Sequence, residues 1–211
     1  MKFRAFTLAE VLVTLGIIGV VSAMTIPTLM QNHQRSVYIT QLHKVSNELS
    51  QAALQAITDS NAISLKESSI GRDESLFFSK YFKVVKDCSI TDTSTCFSEK
   101  YSNLNGAEIR LRDSLSGSSK CVVISSGSII CIANFDGNSY SVLTDVNGKS
   151  GPNILGRDLF SLILKNDGSI SIAGDVSSVA EKFDSNCAKA TSDSYGYCFA
   201  KILDDGWKMD Y

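Results

Sequence analysis

The chain has 211 residues, 44% of them hydrophobic, and a formal charge of −2 from 20 Lys and Arg against 22 Asp and Glu. No basic cluster occurs along it, which argues against nucleic acid as a general partner. Its length allows one main domain beyond an apolar N-terminal segment, and the absence of H-E-x-x-H, G-x-S-x-G, P-loop and Rossmann patterns predicts a non-enzyme.

The first five residues, Met-Lys-Phe-Arg-Ala, carry two positive charges. An apolar run from Leu8 to Leu29 follows, in which Glu10 is the one charged residue. About 20 apolar residues suffice to span a bilayer as a helix, and Gly16, Gly19 and Pro27 suit a membrane helix better than a soluble one. Lys2 and Arg4 keep the N-terminus on the cytoplasmic side, so everything after about Met30 faces outward. A carboxylate inside such a span is costly unless it meets a partner, which marks Glu10 as functional.

Basic leader, small Ala5, Phe6, Glu10 and an apolar helix together resemble the prepilin family. The resemblance implies that a peptidase cuts between Ala5 and Phe6 and that the new N-terminus is methylated. It also implies that Glu10 pairs with the N-terminus of another subunit. Counting from Phe6, Glu10 and Pro27 fall at the mature positions where the family carries a Glu and commonly a Pro. Where the family usually has Gly before the cut, this chain has Ala5, also small enough for a tight peptidase subsite.

Beyond Pro27 the helical pattern continues. Leu42, Val45, Leu49, Ala52, Ala53 and Ile57 recur at three- and four-residue steps and form one apolar stripe. His33 and His43, ten residues apart on this helix, are read as solvated residues unable to share a metal. The predicted division is a leader at 1–5, a transmembrane or filament-core helix at 6–30, an amphipathic continuation at 31–58 and an extracytoplasmic α+β domain at 59–211. Thr58–Ser75 reads as a loop, and the apolar run Leu76–Val85 fits either a helix or a strand.

All six cysteines lie beyond residue 87, in the segment assigned to the exterior. An even count in an exported domain predicts disulfides. Spacing suggests neighbour pairs: Cys88 with Cys96, Cys121 with Cys131 and Cys187 with Cys198, each closing a short polar loop. Strand patterns begin near Ala107. Glu108–Asp113 alternates, and Cys121–Ile124 and Ser128–Ile132 flank a Ser125–Gly127 turn that sets Cys121 opposite Cys131. Ser139–Asp145, Leu159–Lys165 and Ser169–Ile172 complete an antiparallel sheet of about four to six strands.

The stretch from Asp145 to Phe160 has the pattern D-x-N-G…P-N…G-x-D-x-F. It is similar to a motif of pilin-like proteins, where such loops sometimes hold calcium. Asp145, Asn147, Asn153 and Asp158 offer side-chain oxygens of the type calcium takes. The same residues also cap turns with their own side chains, and this self-stabilised turn is the preferred reading. The C-terminal segment from Cys187 to Tyr211 resembles the disulfide-closed ends of some pilin-like proteins, with Trp207 and Tyr211 placed to cover a sheet edge.

The resemblance as a whole implies a pilin-like α+β fold, a long N-terminal helix packed on an antiparallel sheet. It implies a structural subunit of a type IV pilus or type II secretion pseudopilus, working with copies of itself or homologous subunits, a prepilin peptidase and methyltransferase, and an inner-membrane assembly platform. A membrane-anchored binding module that never polymerises and a minor pilin or adhesin at a filament tip are the alternatives.

Overall fold

Helix α1 runs from Leu8 to Asp59 and contains Pro27. In the computed structural model, the described residues are 7–111, 115, 118, 120–172, 179–190 and 196–211. Two compact units divide after Val37. In the first, the helix is exposed almost throughout, and an 18-residue window reaches a mean hydropathy of 2.0 with none of it buried. In the second, Leu42, Val45, Ser46, Leu49, Ala52, Ala53 and Ala56 are buried on one stripe, which is the spacing that keeps one helix face on a core.

The end of α1 is built by Asn61, whose φ of 47° is left-handed. Its N–H donates to Thr58 O, and Ala62 N–H donates to Ile57 O. This pair of bonds satisfies carbonyls that the last turn would leave without partners. Between residues 62 and 73 the chain is more ordered than the loop expected there. Leu65–Glu67 forms a 3-10 turn, and Leu65 and Ile70 join the core.

The run Leu76–Val85 resolves into both of its readings. Helix α2, Glu74–Tyr81, starts at Asp73, whose carboxylate accepts the Ser75 N–H, and it buries Phe77 and Phe78. Strand β1, Val84–Cys88, follows at once. Strands β2 (Tyr101–Ser102) and β3 (Glu108–Ile109) form a separate two-stranded ladder. The alternating segment from Glu108 therefore contributes two strand residues, and its residues 112–113 lie outside the described set.

The main sheet contains β4 (Lys120–Ile124), β5 (Ile129–Asn134), β6 (Ser139–Asp145), β7 (Leu159–Lys165) and β8 (Ile170–Ser171). Its order is β1-β4-β5-β6-β7-β8, and every pairing is antiparallel. Apolar side chains of this sheet and of α1 share one core. The β7–β8 turn docks on α1: Gly168, at φ 81°, leaves only 3.1 Å between an added Cβ and Leu54, and Ser50 Oγ donates to Gly168 O at 2.7 Å. A long helix packed on a six-stranded antiparallel sheet makes the fold α+β.

Near the C-terminus, α3 (Val179–Phe183) leads into a π-helical turn at Asp184–Ala188, and α4 spans Gly196–Asp204. The disulfides are Cys88–Cys96, Cys121–Cys131 and Cys187–Cys198, the neighbour pairs that the spacing suggests.

Candidate functional sites: the N-terminal segment and the 145–160 loop

Ala5 and Phe6 lie outside the described residues. From Thr7 onward the geometry is defined. The Glu10 carboxylate accepts both the backbone N–H and the hydroxyl of Thr7 at 2.8 Å, while Glu10 N–H donates to Thr7 Oγ1 at 3.3 Å. This is a capping box, in which a Thr and a Glu three residues on satisfy each other's backbone donors. The Thr-x-x-Glu spacing carries that signal in the sequence, beside the cost of a charge in an apolar span that points to a partner in another chain. Glu10 thus has a local role, starting α1, independent of any second subunit.

Around Glu10 the helix surface is apolar and uncovered. Leu8, Leu12, Val13, Leu15, Ile17 and Ile18 are all more than half exposed. Pro27 sits inside the helix and donates no N–H to the preceding turn.

The second site is the connection between β6 and β7. Register pairs Asp145 with Leu159, so residues 146–158 project as one loop from paired strand ends. Four backbone features shape it: a cis Gly151–Pro152 peptide and positive φ at Gly148, Asn153 and Gly156. An added Cβ at Gly156 would lie 3.1 and 3.2 Å from the sulfurs of Cys187 and Cys198. The loop is therefore pressed against the third disulfide.

Its two acids are fully buried. Asp158 accepts the N–H groups of Asn153 and Ile154, both at 2.7 Å. Asp145 accepts the Tyr101 hydroxyl at 2.5 Å and Asn147 N–H at 3.2 Å. Among the described residues no cationic side chain forms an ion pair with either acid. Burial pushes the Asp145 carboxyl up to about 8; the charge of Asp158 adds to the rise, and the Tyr101 and Asn147 bonds oppose it. Burial likewise raises Asp158 against the pull of its backbone bonds. The Tyr38 hydroxyl is raised by burial and then by the two acids. One carboxyl of the pair, Asp145, is accordingly neutral near pH 7.

The loop also anchors distant parts of the second unit. Ser102 N–H donates to Asn153 O, and Leu155 N–H to Ser102 O. The Tyr211 hydroxyl donates to Gly156 O at 2.9 Å, and Ser128 Oγ to Val146 O at 2.8 Å. Tyr211 further packs on Phe183, and Trp207 packs edge-on against His43 and Phe199. The C-terminal aromatics so described seat on α1, α3, α4 and the loop, where a sheet-edge cover was expected. His43, read as simply solvated, is the exposed partner of Trp207.

For a cation, the donor set fits in kind. Asn147 Oδ1 and Asn153 Oδ1 are buried without a hydrogen-bond partner, and two carboxylates lie in the same loop. Calcium needs about six to eight oxygens, so backbone, hydroxyl or water oxygens would have to complete the shell. Among the described residues no three His, Cys, Asp or Glu side chains cluster as a metal site.

Residues 1–26 match the family model of the prokaryotic N-terminal methylation motif. The chain thus carries the type IV prepilin-like signature, the mark of pilin-like proteins processed by prepilin peptidase, and the signature overlaps the start of a helix long and apolar enough to cross a membrane. Neither a curated protein nor a solved structure matches the chain.

Proposed function

We propose that the protein is a structural subunit of a type IV pilus-like or type II secretion pseudopilus filament. The observation that carries this reading is the apolar surface around Glu10, exposed on a helix that begins within the methylation motif. Such a surface requires lipid before assembly and neighbouring helices after it. Lys2 and Arg4 hold the N-terminus in the cytoplasm, where the peptidase cuts after Ala5 and the Phe6 amine is methylated. The globular unit then lies outside, where its three disulfides form and persist.

In the filament, Glu10 meets the positive Phe6 amine of a neighbouring subunit. The attraction offsets the cost of placing either charge in an apolar core. The capping box leaves this open, because a carboxylate oxygen accepts more than one hydrogen bond. Glu10→Val tests the reading. The variant is expected to insert in the membrane at normal levels and to be missing from sheared filaments; normal incorporation would contradict it.

A second reading is favoured by the two orphaned amide oxygens: the loop holds calcium through Asp145, Asn147, Asn153 and Asp158. Calorimetry of the purified protein with Ca²⁺ tests it. Heat of binding with a rise in melting temperature supports the ion. No heat and no rise leave the loop held by its own hydrogen bonds alone.

A further inference from the structure

Three cysteines stand in one lateral row across the sheet. Register pairs Cys88 of β1 with Cys121 of β4, and Cys121 with Cys131 of β5. Directly paired residues of an antiparallel sheet place their side chains on the same face. Successive strands lie about 4.8 Å apart, so the three sulfurs follow one another across the strands. Cys121 and Cys131 are bonded, with Cα atoms 4.0 Å apart, the narrow type of cross-strand pair. The N–H and C=O of Cys121 then both point towards β1, which makes Cys88 and Cys121 the wider, hydrogen-bonded type, with Cα atoms about 5.5 Å apart. That separation lies inside the range that disulfides span, about 4.4–6.8 Å. Cys121 therefore has two neighbours within bonding reach and is joined to one of them. Cys88 is joined instead to Cys96, outside the row.

We propose that Cys88, Cys121 and Cys131 form a thiol–disulfide relay, in which the bridge held by Cys121 moves from Cys131 to Cys88 once Cys88 is released from Cys96. A dithiol reductant opens the first bond. Its thiolate attacks Cys96 Sγ, the electron pair leaves on Cys88 Sγ, and its second thiol resolves the mixed disulfide, so that the reductant ends as a disulfide and Cys96 as a thiol. The Cys88 thiolate then attacks Cys121 Sγ. A Cys88–Cys121 bond forms, the Cys121–Cys131 bond breaks, and Cys131 Sγ departs as a thiolate that takes up a proton. This second step involves no net oxidation.

The strand order β1-β4-β5 sets nucleophile, central sulfur and leaving sulfur in sequence, as displacement at sulfur requires. Access follows the same order. Cys88 is 8% and Cys96 4% exposed, against 1% for each of Cys121 and Cys131. An external thiol reaches the edge bond first, and the inner bond changes through the relay. The redox state at the edge of the sheet is thereby written into the core, moving a cross-link from β4–β5 to β1–β4. Cys187–Cys198 lies against Gly156 and is bonded to no cysteine of the row, and it serves as an internal reference.

The test uses the full chain with Cys96→Ser, which frees Cys88 without any reductant. After equilibration in a glutathione buffer, free thiols are alkylated and the peptides mapped by mass spectrometry. The relay predicts Cys88–Cys121 with alkylated Cys131 in roughly one chain in ten or more, and Cys187–Cys198 unchanged. Retention of Cys121–Cys131 with alkylated Cys88 throughout would overturn it. A second variant, Cys96→Ser with Cys131→Ser, removes the leaving group. Cys88–Cys121 is expected in the fraction that unfolds cooperatively; two alkylated thiols at those positions in that fraction would overturn the relay as well.

Discussion

The Tyr101 hydroxyl donates to the buried carboxyl of Asp145 at 2.5 Å, tying the first residue of β2 to the last residue of β6. This bond and those of Asp158 convert an Asp- and Asn-rich loop into a fixed part of the core. Both acids are satisfied by donors that carry no charge; burial raises each, and the charge of Asp158 adds to the rise of Asp145.

That arrangement sets a pH dependence. Asp145 titrates near 8 in the folded chain and near 3.9 in an unfolded one. Between these values the folded state holds a proton that the unfolded state releases. The stabilisation is complete below about pH 4 and is lost as pH rises through about 8. Thermal unfolding is expected to show a fall in Tm of roughly 10 °C between pH 5 and pH 9. Asp145→Asn keeps an acceptor for Tyr101 without the charge, and should flatten that slope.

Asp158→Ala removes the acceptor for two buried N–H groups, those of Asn153 and Ile154. Hydrogen bonds to a charged acceptor and the orphaning of their donors predict a loss of about 3 kcal/mol. Denaturant unfolding measures this, and a loss under about 1 kcal/mol would show that the loop does not need its own cap.

Gly156→Ala tests the contact between the loop and the third disulfide. The residue has a φ of 82°, and the new methyl would meet both sulfurs at close range. Left-handed strain and crowding together predict a cost of about 2 kcal/mol, read as a lowered denaturation midpoint. Unchanged stability would mean that the loop moves off the disulfide freely.

Thr7→Ala separates the two roles of Glu10. The substitution removes the cap hydroxyl, at a cost of about 1 kcal/mol to the helix start, and leaves the carboxylate in place. If Glu10 acts chiefly between subunits, Thr7→Ala assembles into filaments while Glu10→Val does not. Equal failure of both variants would assign Glu10 to capping alone.

Much of this architecture is legible in the sequence because it depends on near neighbours. The α1 stripe, the Ser125–Gly127 turn and the strands from β4 to β7 follow from periodicity and turn chemistry. The roles of Asp145 and Asp158 are half legible: their oxygen donors stand out, but Tyr101 and Tyr38 come from remote segments that no local pattern connects to the loop. The edge-on contact of His43 with Trp207 is hidden for the same reason. The row of Cys88, Cys121 and Cys131 depends on β1 pairing with β4 across an intervening ladder, and the register appears only once the sheet is assembled. Leu76–Val85 is ambiguous in sequence because a helix end and a strand start share one apolar run.

The central claim, that a peptidase-processed helix enters a filament, is tested most directly by the mass and N-terminal sequence of the chain isolated from membranes and from sheared filaments. The account predicts a chain that starts at N-methylated Phe6 in both fractions and is lighter by six hydrogens for its three disulfides. A chain that starts at Met1 in the membrane and never appears in filaments would contradict it.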